Sequence, residues 1–61
     1  MNPKCKLTGE DGNIFNLLGK ASRTLKQAGM RDKASEMAER VCKANSYNEA
    51  LTIIAEYVEI S

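Results

Sequence analysis

Residues 13–29 read NIFNLLGKASRTLKQAG, and the spacing of the apolar residues in this stretch decides the fold. Ile14, Leu17, Leu18, Ala21, Leu25 and Ala28 recur at steps of three and four. That period lays one apolar stripe along an amphipathic helix, here from about Asn13 to Ala28. Phe15 stands beside the stripe and is expected to widen it and close the core. Asp11 or Asn13 can cap the start, because a short side-chain oxygen reaches the free amides of a first turn. Gly19 lies inside the helix at a cost of about 1 kcal/mol relative to alanine. That cost suggests close packing against another element. Gly29 follows the last stripe residue and suits a left-handed helix end.

Further along the chain, Ala34, Met37, Ala38, Val41 and Cys42 repeat the pattern and predict a second helix from Arg31 or Asp32 to Ala44. Its polar face sets Glu36 before Arg40 and Glu39 before Lys43, both in the favourable i, i+4 order. Asn45 is a candidate terminator. Ser46-Tyr47-Asn48-Glu49 then forms a capping box at the head of a third helix, with Ser46 capping and Glu49 reaching back. Ala50, Leu51, Ile54, Tyr57 and Val58 make the third stripe, with Ile53 alongside. The helix is expected to fray near Tyr57, where the chain begins to alternate.

At the other end Lys4-Cys5-Lys6-Leu7-Thr8 alternates polar and apolar residues, as a short strand does. It can pair with Val58 to Ile60, with Lys6 and Glu59 as a candidate cross-strand ion pair. The two segments are separated from and joined to the helices by the glycine-flanked turn Gly9-Glu10-Asp11-Gly12 and by the end of helix three. The fold class is therefore mostly α: a compact three-helix domain spanning residues 1–61, with residues 1–3 flexible. A short two-stranded β-ribbon joining the N- and C-termini would close it. Leu17, Leu18, Leu25, Val41, Leu51 and Ile54 are the expected core.

A chain of 61 residues buries only about 60% of its unfolded surface, so each core contact matters. The content of 43% hydrophobic and 28% charged residues is that of a folded chain rather than a disordered one. No run of about 18 apolar residues predicts a membrane span, and no apolar stretch after Lys6 predicts a secretory signal. The expected location is cytoplasmic, where Cys5 and Cys42 are reduced thiols read as small buried hydrophobes. A disulfide between them is the minor alternative.

Several functions are disfavoured by composition. With no histidine the usual base near neutral pH is missing, and two distant cysteines build no zinc cluster. Cys5 lies between Lys4 and Lys6, which favours a thiolate, but an inward-facing strand cysteine is the simpler reading. Glu10 and Asp11 are adjacent rather than convergent, and the segment lacks the spaced ligands of a calcium loop. No enzyme, metal or cofactor is expected.

Charge is uneven. Residues 1–31 carry six basic and two acidic side chains, a balance of +4; residues 32–43 are neutral; residues 44–61 carry three acids and no base. Lys20, Arg23, Lys26 and Arg31 form a run without acids and are candidate phosphate contacts for weak nucleic-acid binding. A helix-turn-helix arrangement fits poorly, since the third helix carries Glu49 and Glu56 and no base. Binding of another protein is the preferred reading. Phe15, Tyr47, Met30 and Met1 are candidate exposed anchors, although Met30 also suits packing over the end of helix one. The charge asymmetry additionally allows self-association, basic face against acidic face.

Leu7-Thr8-Gly9-Glu10-Asp11-Gly12-Asn13, Ala28-Gly29, Ser46-Tyr47 with Ala50-Leu51, and Tyr57-Val58-Glu59 together resemble a set of short, uncharacterised bacterial proteins, some of them encoded by mobile elements. The resemblance spans nearly the whole chain. It implies a bacterial or phage-like origin and carries over no catalytic or ligand residue.

Overall fold

The structure, a computed structural model, describes residues 2–5 and 13–60. In order along the chain they form β1 (Lys4–Cys5), α1 (Ile14–Gln27), α2 (Arg31–Cys42), α3 (Tyr47–Tyr57) and β2 (Glu59–Ile60). The expected Lys6–Glu59 pair, the Glu10–Asp11 turn and Met1 lie outside the described residues.

Helix α1 starts where Asn13, in extended conformation, accepts a 2.9 Å hydrogen bond on its side chain from the Phe15 amide. It ends in a Schellman motif. Ala28 is the C-cap, the Gly29 amide donates to the Lys26 carbonyl, and the Met30 amide donates to the Leu25 carbonyl at 2.8 Å. Gly29 takes φ +77°, the region where a Cβ would be strained. Met30 half-buries its side chain against the core, and its carbonyl accepts from Ala34 to open α2. One turn thus ends α1 and starts α2, which makes the two helices neighbours.

Helix α2 ends at Cys42, two residues before the expected Ala44. The Lys43 and Ala44 amides fold back onto the Arg40 and Val41 carbonyls, so the last turn tightens without a left-handed residue, and Asn45 plays no terminating role. Helix α3 is capped as expected on one side: Ser46 Oγ accepts from the Glu49 amide at 3.0 Å. The reciprocal bond from the Ser46 amide to the Glu49 side chain does not form among the described residues. Val58 is extended, and its amide makes the last helical hydrogen bond, to Ile54.

The ends then pair in parallel, Lys4 opposite Glu59 and Cys5 opposite Ile60, with the Glu59 amide donating to the Pro3 carbonyl at 2.8 Å. Asn2 Nδ2 donates to the Glu56 carbonyl beside this pair. Among the described residues the ribbon is two residues long on each side, and β2 begins just past the end of α3 at Tyr57.

The core is built from Leu17, Ala21 and Leu25 of α1, Ala34, Met37 and Val41 of α2, Ala50, Ile53, Ile54 and Tyr57 of α3, with Cys5 and Val58 sealing the ribbon end. Four of the six expected core residues are buried. Leu18 and Leu51 are only half-buried. Leu18 sits about 60° and Leu51 about 110° round its helix from the centre of the buried face, so each covers the core edge rather than filling it.

Candidate functional site

Helix periodicity places the surface residues of α1 by the same rule that places its core. Leu17, Ala21 and Leu25 point inward. Phe15, Gly19 and Arg23 are each offset by two residues, about 200°, and so point outward. Phe15 is therefore 67% exposed and does not close the core as expected. Among the described residues a Cβ added at Gly19 would meet nothing within 4 Å, so the close packing expected of this glycine is not found among them. Cys42 is likewise exposed, because Val41 just before it takes the inward position; Cys5 is buried and both thiols are free.

Phe15 stands on a ridge between two shallow depressions. One is apolar and lies where α1 starts, α2 ends and α3 begins; Ile14, Val41, Cys42, Ala44, Tyr47 and Ala50 line it beside Phe15. Tyr47, the first residue of α3, is 44% exposed at its rim. The other depression runs along α1 past Asn16, Gly19, Lys20, Arg23 and Thr24. Arg23 and Lys26 continue that face, both exposed, around the notch left by Gly19 and Ser22. Lys20 is half-buried. Of the four basic candidates, Lys20, Arg23 and Lys26 share α1, whereas Arg31 is exposed at the start of α2, beyond the Gly29 turn.

On the opposite side of α3 a polar cluster joins α2 to α3. Arg40 donates to the Glu56 carboxylate through Nη1 at 2.8 Å and Nη2 at 3.3 Å, and through Nη1 to the Tyr57 hydroxyl at 3.1 Å. Its guanidinium carbon lies 5.7 Å from the Tyr57 ring centroid, within cation–π range. The Tyr57 hydroxyl donates to Glu36. The hydrogen bonds from Arg40 hold the Glu56 carboxyl below the usual carboxylate range, and the same pairing raises Arg40. Arg40 thus reaches across to α3 instead of pairing with Glu36 on its own helix. Glu36 is met by Lys33 at 3.9 Å, and no ion pair joins Glu39 to Lys43 among the described residues. Helical spacing could not reveal this cluster, since its partners are sixteen or more residues apart. It ties two helices and gathers no reacting groups.

Among the described residues no group of three or more histidine, cysteine, aspartate or glutamate side chains is placed to hold a metal ion. No helix among these residues is long and apolar enough to cross a membrane. No family model, curated protein or solved structure matches the chain. The described residues present two exposed rings around an apolar hollow, continued by a basic, notched helix face.

Proposed function

We propose that this chain is a non-enzymatic cytoplasmic protein that binds another protein, foreign or a second copy of itself, through the surface centred on Phe15. The observation that carries this reading is the pair of exposed rings. Phe15 and Tyr47 are the exposed large hydrophobics among the described residues, and they share one apolar depression. Aromatic residues that a fold leaves in solvent around a hollow are the usual anchors of an interface, because they bury much area with few rotatable bonds.

The test is affinity capture with the tagged wild type and with Phe15→Asp, each with nuclease treatment and at two salt concentrations. A protein recovered by the wild type, resistant to nuclease and salt and lost with Phe15→Asp, is the expected result. Phe15→Asp should leave thermal unfolding almost unchanged, since the ring already faces solvent.

A second reading is weak nucleic-acid binding through Lys20, Arg23, Lys26 and Arg31. It is favoured by the exposure of Arg23 and Lys26 on one face of α1. It predicts recovery of nucleic acid alone, lost when Arg23 and Lys26 are reversed in charge. Affinity for duplex DNA would then fall with log salt at a slope of about −0.9 per phosphate neutralised. That outcome would replace the first reading.

A further inference from the structure

Resting on the protein-binding reading, we infer that the partner of the α1 face is the α3 face of a second copy of this chain, with the two helices parallel. The exposed stripe of α1 is Phe15, Gly19, Arg23 and Lys26. The exposed stripe of α3 is Asn48, Thr52, Ala55 and Glu56, continued just past the helix by Glu59. Phe15, Gly19 and Arg23 on α1 and Asn48, Thr52 and Glu56 on α3 run in the same steps of four, with opposite charge at the same end. Set parallel, Gly19 falls opposite Thr52 and Arg23 opposite Glu56, while Phe15 falls beside Asn48 and the half-exposed Leu51; Glu59, in the extended chain past α3, adds a second acid at the same end as Lys26.

Three features of the molecule favour this occupant. Both stripes have small residues at the centre, where two helices must approach most closely. Among the described residues nothing comes within 4 Å of a Cβ added at Gly19, which leaves the notch open to a partner helix. The charges then choose the direction. The basic pair lies at the C-terminal end of the α1 stripe and the acidic pair at the C-terminal end of the α3 stripe. An antiparallel contact would bring Phe15 against the acids, and a foreign acidic helix is not required when the chain carries the complement itself. Glu56 already accepts from Arg40, but its side chain is 52% exposed and each carboxylate oxygen can accept more than one hydrogen bond. Because the two faces differ, the contact is heterologous: every copy offers one donor face and one acceptor face.

Sedimentation of the purified full chain from micromolar to millimolar concentration tests this, with unfolding curves confirming that each variant is folded. The wild type is expected to gain mass with concentration, and added salt to weaken the association only modestly, because the exposed charges set its direction while the close helix contact persists in salt. Arg23→Glu/Lys26→Glu damages only the α1 face, and Ala55→Tyr blocks only the α3 face. Each alone should associate about tenfold or more weakly than the wild type. An equimolar mixture of the two should form a one-to-one dimer that does not grow, through the sound α1 face of one and the sound α3 face of the other. A wild type that stays monomeric at millimolar concentration, or an Ala55→Tyr protein that associates as the wild type does, overturns the inference. In either case capture of a different protein that Phe15→Asp abolishes would leave the broader reading standing, and its absence would remove both.

Discussion

Tyr47 and Tyr57 open and close the same helix, and the fold treats them in opposite ways. Tyr57 is 7% exposed, with its ring in the core, its hydroxyl donating to Glu36 and accepting from Arg40. Around it the chain ends are stitched down by Asn2 on the Glu56 carbonyl and by the parallel pairing of β1 with β2. At the other end of α3, Tyr47 follows a single side-chain cap and remains 44% exposed beside an even more exposed Phe15. A tyrosine is comfortable half-wet, but two neighbouring rings around an apolar hollow leave area that the chain does not itself cover. The closed end shows that this fold can bury and satisfy a tyrosine. The open end differs in leaving two aromatic rings in solvent beside an apolar hollow.

The largest test of this contrast is to truncate each ring in turn. Tyr57→Ala removes a buried aromatic and should cost about 3–5 kcal/mol, comparable to the whole stability of a domain this small. Tyr47→Ala should change stability by no more than about 0.5 kcal/mol. Urea unfolding of both variants decides the matter, and near-equal costs would break the distinction between the two ends.

The cap at the open end comes next in size. Ser46→Ala removes the acceptor for the Glu49 amide and should lower stability by about 1 kcal/mol, whereas Ser46→Gly should cost only a few tenths. Since no reciprocal bond from Glu49 forms, Glu49→Ala should leave the cap almost unaffected. If Glu49→Ala proved as costly as Ser46→Ala, the start of α3 would be held more tightly than its exposure suggests.

The helices and their order were legible because Leu17, Ala21 and Leu25, and likewise Met37 with Val41, repeat at helical spacing, and because Gly29 and Ser46 punctuate them. The short ribbon was legible from the alternation at both ends, but its parallel sense was not, because it depends on how the packed helices bring the two ends together. The site was half-legible. Phe15 and Tyr47 could be named as candidates, but whether Phe15 lay in or out turned on about 100° of helix rotation. Counting apolar residues assigned it to the stripe, while the two-residue offset from Leu17 puts it outside. Cys42 and Gly19 failed for the same reason. Arg40, Glu56 and Tyr57 could not be joined from sequence, since their contact exists only once α2 and α3 have packed.

The two helical-region glycines extend the comparison to the backbone, with opposite signs. Gly19 has no left-handed φ and no neighbour for a Cβ, so Gly19→Ala should stabilise the fold by about 0.5–1 kcal/mol. Gly29 sits at φ +77°, so Gly29→Ala should destabilise by about 1 kcal/mol although it too has room for the methyl group. Thermal unfolding of both variants reads the signs directly. A Gly19→Ala protein that is less stable would mean that the α1 face is not free to accept a side chain.

The smallest effect belongs to the exposed Arg40–Glu56 pair at the closed end, and its dependence on pH separates the ways in which Arg40 acts. Hydrogen bonds from Arg40 depress the Glu56 carboxyl in the folded state. A group depressed on folding adds stability that is present above its unfolded pKa, about 4.3 for a glutamate, and lost as pH falls through the lower folded value. The stability difference between the wild type and Arg40→Met should therefore be constant from neutral pH down to the carboxylate range and shrink below it, as Glu56 takes up a proton. Salt should shrink it at neutral pH too, because both partners are exposed. The contact of the Arg40 cation with the Tyr57 ring and hydroxyl does not depend on Glu56 ionisation. Whatever difference survives in acid measures that contact. If acid and salt leave the full difference in place, Arg40 closes this end by its contact with Tyr57, and the ion pair adds nothing to it.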